Sequence, residues 1–280
     1  MAKQRNKKIN WLQHHLPEGL LVDARWLTRH GYSTSLRTQY VAAGWLKQPT
    51  RGVYSRPRGA LSWQQVVISL QAVLAYPLLV GGRTALEAQG YAHYLTRHVK
   101  EVHLYGPKAP PPWLHKLKFG VRFIYHNDKR LFGHGLLQGP LTQLDESKRK
   151  TSLGDNQIDD WLVQSWGQWD WPLAMSTPER AVLELLDELP KHESFHQADM
   201  LMQSLANLSP RRLRRLLREC RSVKVKRLFF YFADRHRHAW LKQLDRKFFD
   251  LGKGKRMLVK GGRLDKTYQI TVPENLDAVQ

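Results

Sequence analysis

Cysteine is nearly absent from this sequence: Cys220 is the single one among 280 residues. That count excludes an intramolecular disulfide and a metal cluster held by cysteines. The basic start, Lys3 to Lys8, leads into no apolar stretch, so we expect no secretory leader. Apolar runs of the roughly 18 residues that a membrane span needs are also missing. We therefore expect a cytoplasmic protein without membrane contact.

Acidic residues are scarce as well. Only 24 Asp and Glu oppose 45 Lys and Arg, which leaves a net charge of +21. Residues 1–60 hold 11 cations against two acids, residues 61–206 hold 14 against 15, and residues 207–270 hold 20 against five. Two basic ends thus flank a neutral middle. This segregation favours binding to a polyanion over a generally solubilising surface.

The stretch from Gly31 to Arg58 predicts a short helix followed by a tight β-hairpin. Ser33 and Ser35 are candidate N-caps, and Leu36 and Tyr40 fall on one side of the helix. A turn at residues 49–52 separates the hairpin strands. With a first helix over 3–16 and an Asp23-capped second helix, the order is typical of a winged helix-turn-helix.

In this interpretation the polar side chains of the third helix reach base edges, and Arg37, Thr38 and Gln39 point to solvent. The hairpin offers cations to phosphate at its tip and exit. The candidate DNA-binding residues here are Ser33, Thr34, Ser35, Arg37, Thr38, Gln39, Lys47, Arg51, Arg56 and Arg58. The alternative is a small α/β subdomain whose exposed face is basic.

The neutral middle mixes helices and strands. Ser62 caps a predicted helix through about Ala75, and residues 101–105 and 121–125 alternate as strands do. Gly81-Gly82 before a helix suggests a tight, closely packed turn more than a phosphate cradle, because the surrounding glycine motif is missing. Residues 142–160 are interpreted as a solvated loop, and the tryptophans at 161–171 as core.

A strongly basic helix is predicted to start at Ser209-Pro210. Leu213, Leu216, Leu217 and Cys220 form one stripe, and arginines cover the rest of the helix. With Glu219 as the one acid, we expect these arginines to repel one another until an anion binds. The candidate phosphate contacts are Arg211, Arg212, Arg214, Arg215 and Arg218, with Lys224 and Lys226 continuing the run.

The last segment is interpreted as a β-hairpin or small sheet, with strands at 256–259 and 268–272. Lys255, Lys260 and Arg263 lie near the intervening turn. Cations on hairpins contact the phosphate backbone well and read sequence poorly. A merely solvated basic face is the alternative.

Two short motifs suggest enzymes. Residues 192–196 match H-E-x-x-H, which needs both histidines one turn apart on a helix. Pro190 places this match across a loop and a helix start. Glu146 and Lys148, with Asp128 upstream, mimic the D…E-x-K of metal-dependent nucleases, but in a charge-rich loop without strand pattern.

Other candidate chemistry is sparser. Asp234, His236 and His238 are spaced for a metal, although an exposed turn explains them as well. We expect no catalytic site, metal or cofactor. A metal-dependent nuclease or protease, and an RNA-binding protein, remain the alternative functions.

Long blocks of the chain resemble one family. The blocks span residues 27–54, 80–95, 176–190, 208–245 and 254–273, for example LTRHGYSTSLRTQYVAAGWLKQPTRGVY and LSPRRLRRLLRECRSVKVKRLFFYFADRHRHAWLKQLD. They are similar to the AbiEi antitoxins of bacterial type IV toxin–antitoxin systems, which act in phage defence by abortive infection. Residues 140–170 carry least of the likeness.

The resemblance implies an α+β protein, with a winged-helix domain over 1–60 and a larger mixed antitoxin domain over 61–280. Its neutral part would be 61–206 and its basic part 207–270. Such proteins bind inverted repeats in their own promoter, repress the operon, and oppose a nucleotidyltransferase-like toxin without a stable complex. By this likeness Arg37, Thr38 and Gln39 would enter the major groove, Lys47 and Arg51 would lie on the wing, and the arginines of 211–221 would extend the footprint.

Overall fold

The computed structural model describes residues 2–92, 99–133, 160–168 and 170–277. Its α-helices are α1 (Ala2–His15), α2 (Ala24–Arg29), α3 (Thr34–Ala42), α4 (Trp63–Ile68), α5 (Gly82–Ala88), α6 (Lys129–Phe132), α7 (Pro178–Glu188), α8 (Phe195–Ser204), α9 (Pro210–Glu219) and α10 (Val223–His236). Its strands are β1 (Leu21–Asp23), β2 (Lys47–Thr50), β3 (Val53–Ser55), β4 (Leu79–Val80), β5 (Glu101–Gly106), β6 (Arg122–Asn127), β7 (Trp161–Trp166), β8 (Trp171–Ser176), β9 (Arg263–Asp265) and β10 (Ile270–Val272). The predicted α+β class is confirmed.

The N-terminal elements follow the predicted winged-helix order. Strands β1, β3 and β2 form an antiparallel sheet with β3 at its centre, beside helices α1 to α3. Asp23 accepts from the backbone N–H of Trp26 at 2.7 Å, and Ser33 from that of Leu36 at 3.3 Å. Both side chains satisfy N–H groups that have no partner within their own helix, which is why α2 and α3 start where the sequence predicts.

Residues beyond the wing form a mixed five-stranded sheet in the order β6-β5-β4-β8-β7. The β5–β6 and β4–β8 pairs are parallel, and the β4–β5 and β7–β8 pairs are antiparallel. Helices α5 and α7 pack against each other beside this sheet. Buried Gln71 joins it to α4 by bonding the carbonyls of Leu78 and Ala174 at 2.8 and 2.9 Å. Most of the apolar side chains form one continuous core.

Helix α7 carries charges into that core. The side chains of Arg180 and Glu184 have no exposed surface, and Arg180 Nε donates to Glu184 Oε1 at 2.8 Å. Glu184 also accepts from the N–H of Gly82 at 2.9 Å and from the hydroxyl of Ser176 at 3.1 Å. Burial raises the pKa of Glu184, the Arg180 charge opposing it. One carboxylate therefore joins α7 to α5 and β8.

The Gly81-Gly82 turn is confirmed as a closely packed turn. A Cβ at position 81 would lie 2.3 Å from the Tyr105 ring and 2.4 Å from the Glu184 carboxylate. Gly82 has a φ of +53°, in the left-handed region that favours glycine. Its N–H is occupied by Glu184, so this group does not serve as a phosphate donor.

Helix α4 links the sheet to the winged helix. Ser62 and Gln65 form a reciprocal capping box, which confirms Ser62 as the cap. The α-helix ends at Ile68 and continues as one π-helical turn over Ser69–Val73. The buried hydroxyl of Ser69 accepts from the N–H of Leu21 at 2.8 Å. Strand β1 is thus fastened directly to the π-helical turn that follows α4.

The predicted pairing of the C-terminal strands is wrong in part. Strand β10 pairs with β9, residues 263–265, rather than with residues 256–259. The hydroxyl of Thr271 accepts from the N–H groups of Leu258 and Val259 at 2.8 and 2.9 Å. A side chain therefore satisfies the two backbone donors that a neighbouring strand would otherwise satisfy. Arg256 keeps a single parallel bridge to Ile270.

The tryptophan cluster lies on the β7–β8 hairpin. Trp161, Trp166 and Trp171 are half-buried and pack against the core, as predicted. Trp169 and almost all of the predicted 142–160 loop lie outside the described residues. None of the helices in the described residues has the length and apolar character that a bilayer crossing requires.

Removing the Glu184 carboxylate should destabilise the fold strongly, because buried Arg180 loses its partner at 2.8 Å and keeps the more distant Asp160 carboxylate at 3.9 Å. We expect Glu184→Ala to lower the free energy of unfolding by about 3–5 kcal/mol. The matched control is Glu18→Ala, whose carboxylate is half-exposed and pairs with Arg56, and which should cost under about 1 kcal/mol. Urea unfolding measures both; equal costs would contradict the role given to Glu184.

Candidate nucleic-acid interface

Helix α3 presents a polar outer face. The side chains of Ser35, Thr38 and Gln39 are exposed, whereas Tyr40 is buried and Leu36 half-buried. Ser33 and Thr34 are exposed too, but both side chains have structural partners: Ser33 caps the helix, and the Thr34 hydroxyl accepts from the Arg37 guanidinium at 2.8 Å. The residues able to meet a base edge are therefore those at 35, 38 and 39.

The predicted exposure of Arg37 is wrong. This residue is only 7% exposed. Its guanidinium donates to the carbonyl of Ala24 at 3.0 Å and to the hydroxyl of Thr34 at 2.8 Å, and it lies 5.8 Å from the Tyr54 ring centroid. The buried face of α3 includes Arg37 as well as the apolar residues, because this long side chain can fold back over α2. Arg37 holds α2, α3 and β3 together.

The hairpin tip is exposed as predicted, but its exit is not. Lys47 and Arg51 are exposed. Arg56 donates to the carbonyls of Gln13 and Leu16 at 3.0 and 3.1 Å, which satisfies the C-terminal end of α1. Arg58 donates to Gln168 at 3.2 Å and lies 5.7 Å from the Trp171 ring centroid. We call the exposed group of Ser35, Thr38, Gln39, Lys47 and Arg51 the wing surface.

Two exposed cations of α2 escaped the sequence prediction. Arg25 and Arg29 lie on the outer side of this helix, opposite buried Trp26 and Leu27. Their four-residue spacing places them on one helix face, and that spacing is the signal that would have found them.

The arginines of α9 divide into two groups. Arg212 pairs with Glu179 at 2.8 Å, and Arg215 pairs with Asp160. The expectation that these arginines find no internal partner is therefore wrong, because the partners come from α7 and from the start of β7. Arg211, Arg214 and Arg218 are exposed on the other side, and Leu213, Leu216 and Leu217 are buried as predicted. We call the three exposed arginines the α9 stripe.

The lysines after α9 are not surface contacts. Lys224 Nζ donates to the carbonyl of Leu189 at 2.9 Å and lies 3.5 Å from the Asp187 carboxylate. Lys226 is only 6% exposed. Both stand in the first turn of α10, the helix that carries the most apolar stretch of the chain, so the helix takes them inward. The prediction that Lys226 contacts phosphate is wrong, because this side chain is buried. Lys224 is held by Asp187 of α7.

The remaining predicted cations are on the surface. Lys255, Lys260 and Arg263 are exposed, in the segment around β9 and β10. Buried Arg227 anchors that segment by donating to the carbonyls of Leu251 and Gly254 at 2.6 and 2.7 Å. The cations of this region thus separate into buried anchors and exposed side chains.

Arginines contact the β7–β8 hairpin at both of its ends. Arg58, which follows β3, contacts Gln168 in the turn between β7 and β8, and Arg215 of α9 contacts Asp160 at the open end. Six-residue strands span roughly 20 Å, so these two contacts are separated by about the length of the hairpin.

The enzyme motifs adopt other roles. His192 lies in a turn and His196 in α8, which confirms that the H-E-x-x-H match crosses a helix start. His236 pairs with Asp199 at 2.7 Å, and His238 bonds the Met202 carbonyl at 2.7 Å. Within the described residues no cluster of three or more His, Cys, Asp or Glu is arranged to hold a metal ion. Glu146 and Lys148 lie outside the described residues.

Glu193 instead ends a buried chain of titratable groups. Glu188 bonds His126 at 3.1 Å, His126 bonds His103 at 3.0 Å, and His103 lies 3.7 Å from Glu193. Arg83 reaches Glu193 at 3.3 Å. Burial lowers the pKa of His103 to about 4 and raises the pKa of Glu193 to about 7. Both shifts favour the neutral forms, so the chain joins β5, β6, α5 and α7 at little net charge.

The raised pKa of Glu193 makes stability depend on pH. Its contribution is full below the ordinary value of 4.5 and is lost as the pH rises through about 7. We expect Glu193→Gln to remove this loss, so that the variant gains about 1–3 kcal/mol over the wild type between pH 5 and pH 8. Gln197→Ala, which removes another Arg83 acceptor without a titrating group, should differ equally from the wild type at both pH values. Urea unfolding at pH 5 and pH 8 measures these differences. If the free energy of unfolding changes with pH equally in the wild type and in Glu193→Gln, Glu193 does not cause the pH dependence.

Arg37→Ala should reduce stability rather than sequence discrimination. Loss of its two hydrogen bonds should cost about 2 kcal/mol, measured by urea unfolding. Exposed Ser35→Ala is the control and should stay within about 0.5 kcal/mol. Below the unfolding transition, the variant should bind specific and random DNA in the wild-type ratio. A changed ratio with unchanged stability would mean that Arg37 reads bases.

Comparisons with known proteins place this architecture. A search of curated proteins found no match. The fold is similar to that of the RV2827C protein from Mycobacterium tuberculosis, with a TM-score of 0.55 and 16% identity over 95% of this chain and 89% of the other. Residues 5–97 match the family described as the N-terminal domain of the AbiEi antitoxin transcriptional regulators, and residues 99–273 match the AbiEi antitoxin transcriptional regulators of type IV toxin–antitoxin systems. The chain belongs to the AbiEi family of antitoxin transcriptional regulators.

Proposed function

We propose that this chain represses its own operon by binding inverted repeats in the promoter, and that it serves as the antitoxin of a type IV system. The observation that carries the proposal is the wing surface, where exposed Thr38 and Gln39 on α3 stand beside a hairpin with a cationic tip. The family supports the regulatory and antitoxin roles.

Each part of the wing surface has a distinct task. Helix α3 enters the major groove, where Gln39 can bond adenine through both amide atoms and Thr38 can contact a thymine methyl group. Lys47 and Arg51 meet phosphates, which fixes orientation without reading sequence. Arg37 lies on the buried side of α3 and orients this helix through its contacts with Ala24 and Tyr54.

The remaining elements of the proposal concern partners. The protein acts in the cytoplasm, opposes a nucleotidyltransferase-like toxin without forming a stable complex, and has no catalytic site of its own. Residues 1–60 form the DNA-binding unit and residues 61–280 the antitoxin unit. The exposed cations Lys255, Lys260 and Arg263 contact phosphates of the operator, and Arg211, Arg214 and Arg218 contact nucleic-acid phosphates. The nuclease alternative predicts cleavage of DNA on metal addition, which a gel assay detects.

The wing surface makes separable predictions for DNA affinity. Gln39→Ala should lose about 1–3 kcal/mol on the chain's own upstream DNA and much less on random duplex. Lys47→Gln with Arg51→Gln should weaken both equally and reduce the salt slope by about 2. With about 6 phosphate contacts, log K should fall against log salt with a slope near −5.

Fluorescence anisotropy over a salt series, after footprinting the upstream region, measures these effects. A wild-type slope shallower than about −2 would mean that phosphate charge does not dominate. Equal losses for Gln39→Ala on specific and random duplex would remove α3 as the reading element.

A further inference from the structure

Phe248 is an exposed aromatic ring in the most basic part of the chain. It is 65% exposed and ends a single 3-10 turn over Arg246–Phe248. The next residue, Phe249, is buried and packs on Phe230, with 5.4 Å between ring centroids. One ring therefore anchors the turn while its neighbour is held out in solvent. A single exposed apolar ring is common on protein surfaces, so the significance of Phe248 depends on the groups around it.

The α9 stripe ends at this ring. The Arg218 guanidinium lies 6.0 Å from the Phe248 ring centroid. Arg214 donates to the carbonyl of Gln243 at 3.0 Å, which fastens α9 to the segment leading to Phe248. Exposed Lys247 precedes the ring. Cations and aromatic ring thus form one surface.

The stripe has a regular spacing. Arg211, Arg214 and Arg218 follow one another at three and four residues, so their Cβ atoms lie about 5–6 Å apart along one helix face. Arg212 and Arg215 on the other side are fixed by Glu179 and Asp160, which keeps α9 from rotating. A rigid row of cations suits the successive phosphates of one strand.

Nearby carboxylates are fewer than the cations of this surface. Asp245 accepts from the N–H of Lys247 at 3.0 Å, and Asp250 accepts from the N–H of Gly252 at 2.8 Å, so both shape local turns. Glu219 lies 3.8 Å from Arg215. Residues 207–270 keep 20 cations against five acids, which leaves the region strongly basic.

We propose that the α9 stripe and Phe248 bind single-stranded nucleic acid, with phosphates on Arg211, Arg214 and Arg218 and an unpaired base stacked on Phe248. Duplex bases stack on one another and offer no face to an exposed ring, whereas an unpaired base does. An arginine beside the ring adds to such stacking. This site goes beyond the proposed repressor function and is independent of the wing surface.

The experiment uses the full chain and a fluorescent single-stranded RNA of about 12 nucleotides that carries 2-aminopurine. Phe248→Ala should weaken binding about tenfold and abolish quenching of 2-aminopurine, while Phe248→Tyr should retain both because it keeps the ring. Arg211→Gln with Arg218→Gln should reduce the salt slope by about 1.4. The control Lys47→Gln with Arg51→Gln should weaken duplex binding and leave RNA binding unchanged.

Three results would overturn the proposal. RNA binding by Phe248→Ala at the wild-type level would make the surface purely electrostatic. Loss of both RNA and duplex binding in the wing control would mean a single site for both. Absence of single-strand binding by the wild type, together with loss of duplex affinity in the stripe variant, would assign α9 to the operator. Failure of duplex binding alone would instead affect the repressor proposal.

Discussion

The acids of helix α7 determine how this basic chain holds together. Glu184 joins α7 to α5 and β8 inside the core. Glu179 holds Arg212 of α9, Asp187 faces Lys224 of α10, and Glu188 bonds His126 of β6. Carboxylates that are wholly or partly buried thus tie α7 to α5, α9, α10, β6 and β8, and charge pairing is screened less there than at the surface. A chain with so few acids uses them where they stabilise most.

This arrangement explains the charge segregation. The neutral middle of the chain supplies acids that pair with cations of the basic end. The paired cations are Arg212, Arg215 and Lys224. The cations left exposed face solvent on rigid elements. The cations of α9 show this division within one helix, because those on one side are paired with acids and those on the other side are exposed.

The winged helix is fastened as firmly as the rest. Ser69 bonds β1, Arg56 closes the end of α1, and Arg58 reaches the β7–β8 turn. Residues that look like phosphate contacts in the sequence, Arg37 and Arg56 above all, serve as braces that orient α3 and the hairpin. The wing surface is small, but the elements that carry it are held in place from behind.

Local chemistry in the sequence was enough to predict the caps at Asp23 and Ser62 and to offer Ser33 beside Ser35 for α3, because a cap joins residues three positions apart. The winged-helix order followed for the same reason. Only the tertiary structure decided which cations are buried or paired, since Arg37, Arg212 and Lys224 find their partners on other elements of the fold. It also decided the partner of β10, because one hydroxyl, that of Thr271, replaces the expected strand. Short-range bonding is written in residue order, whereas burial and long-range pairing depend on which surfaces the folded chain brings together.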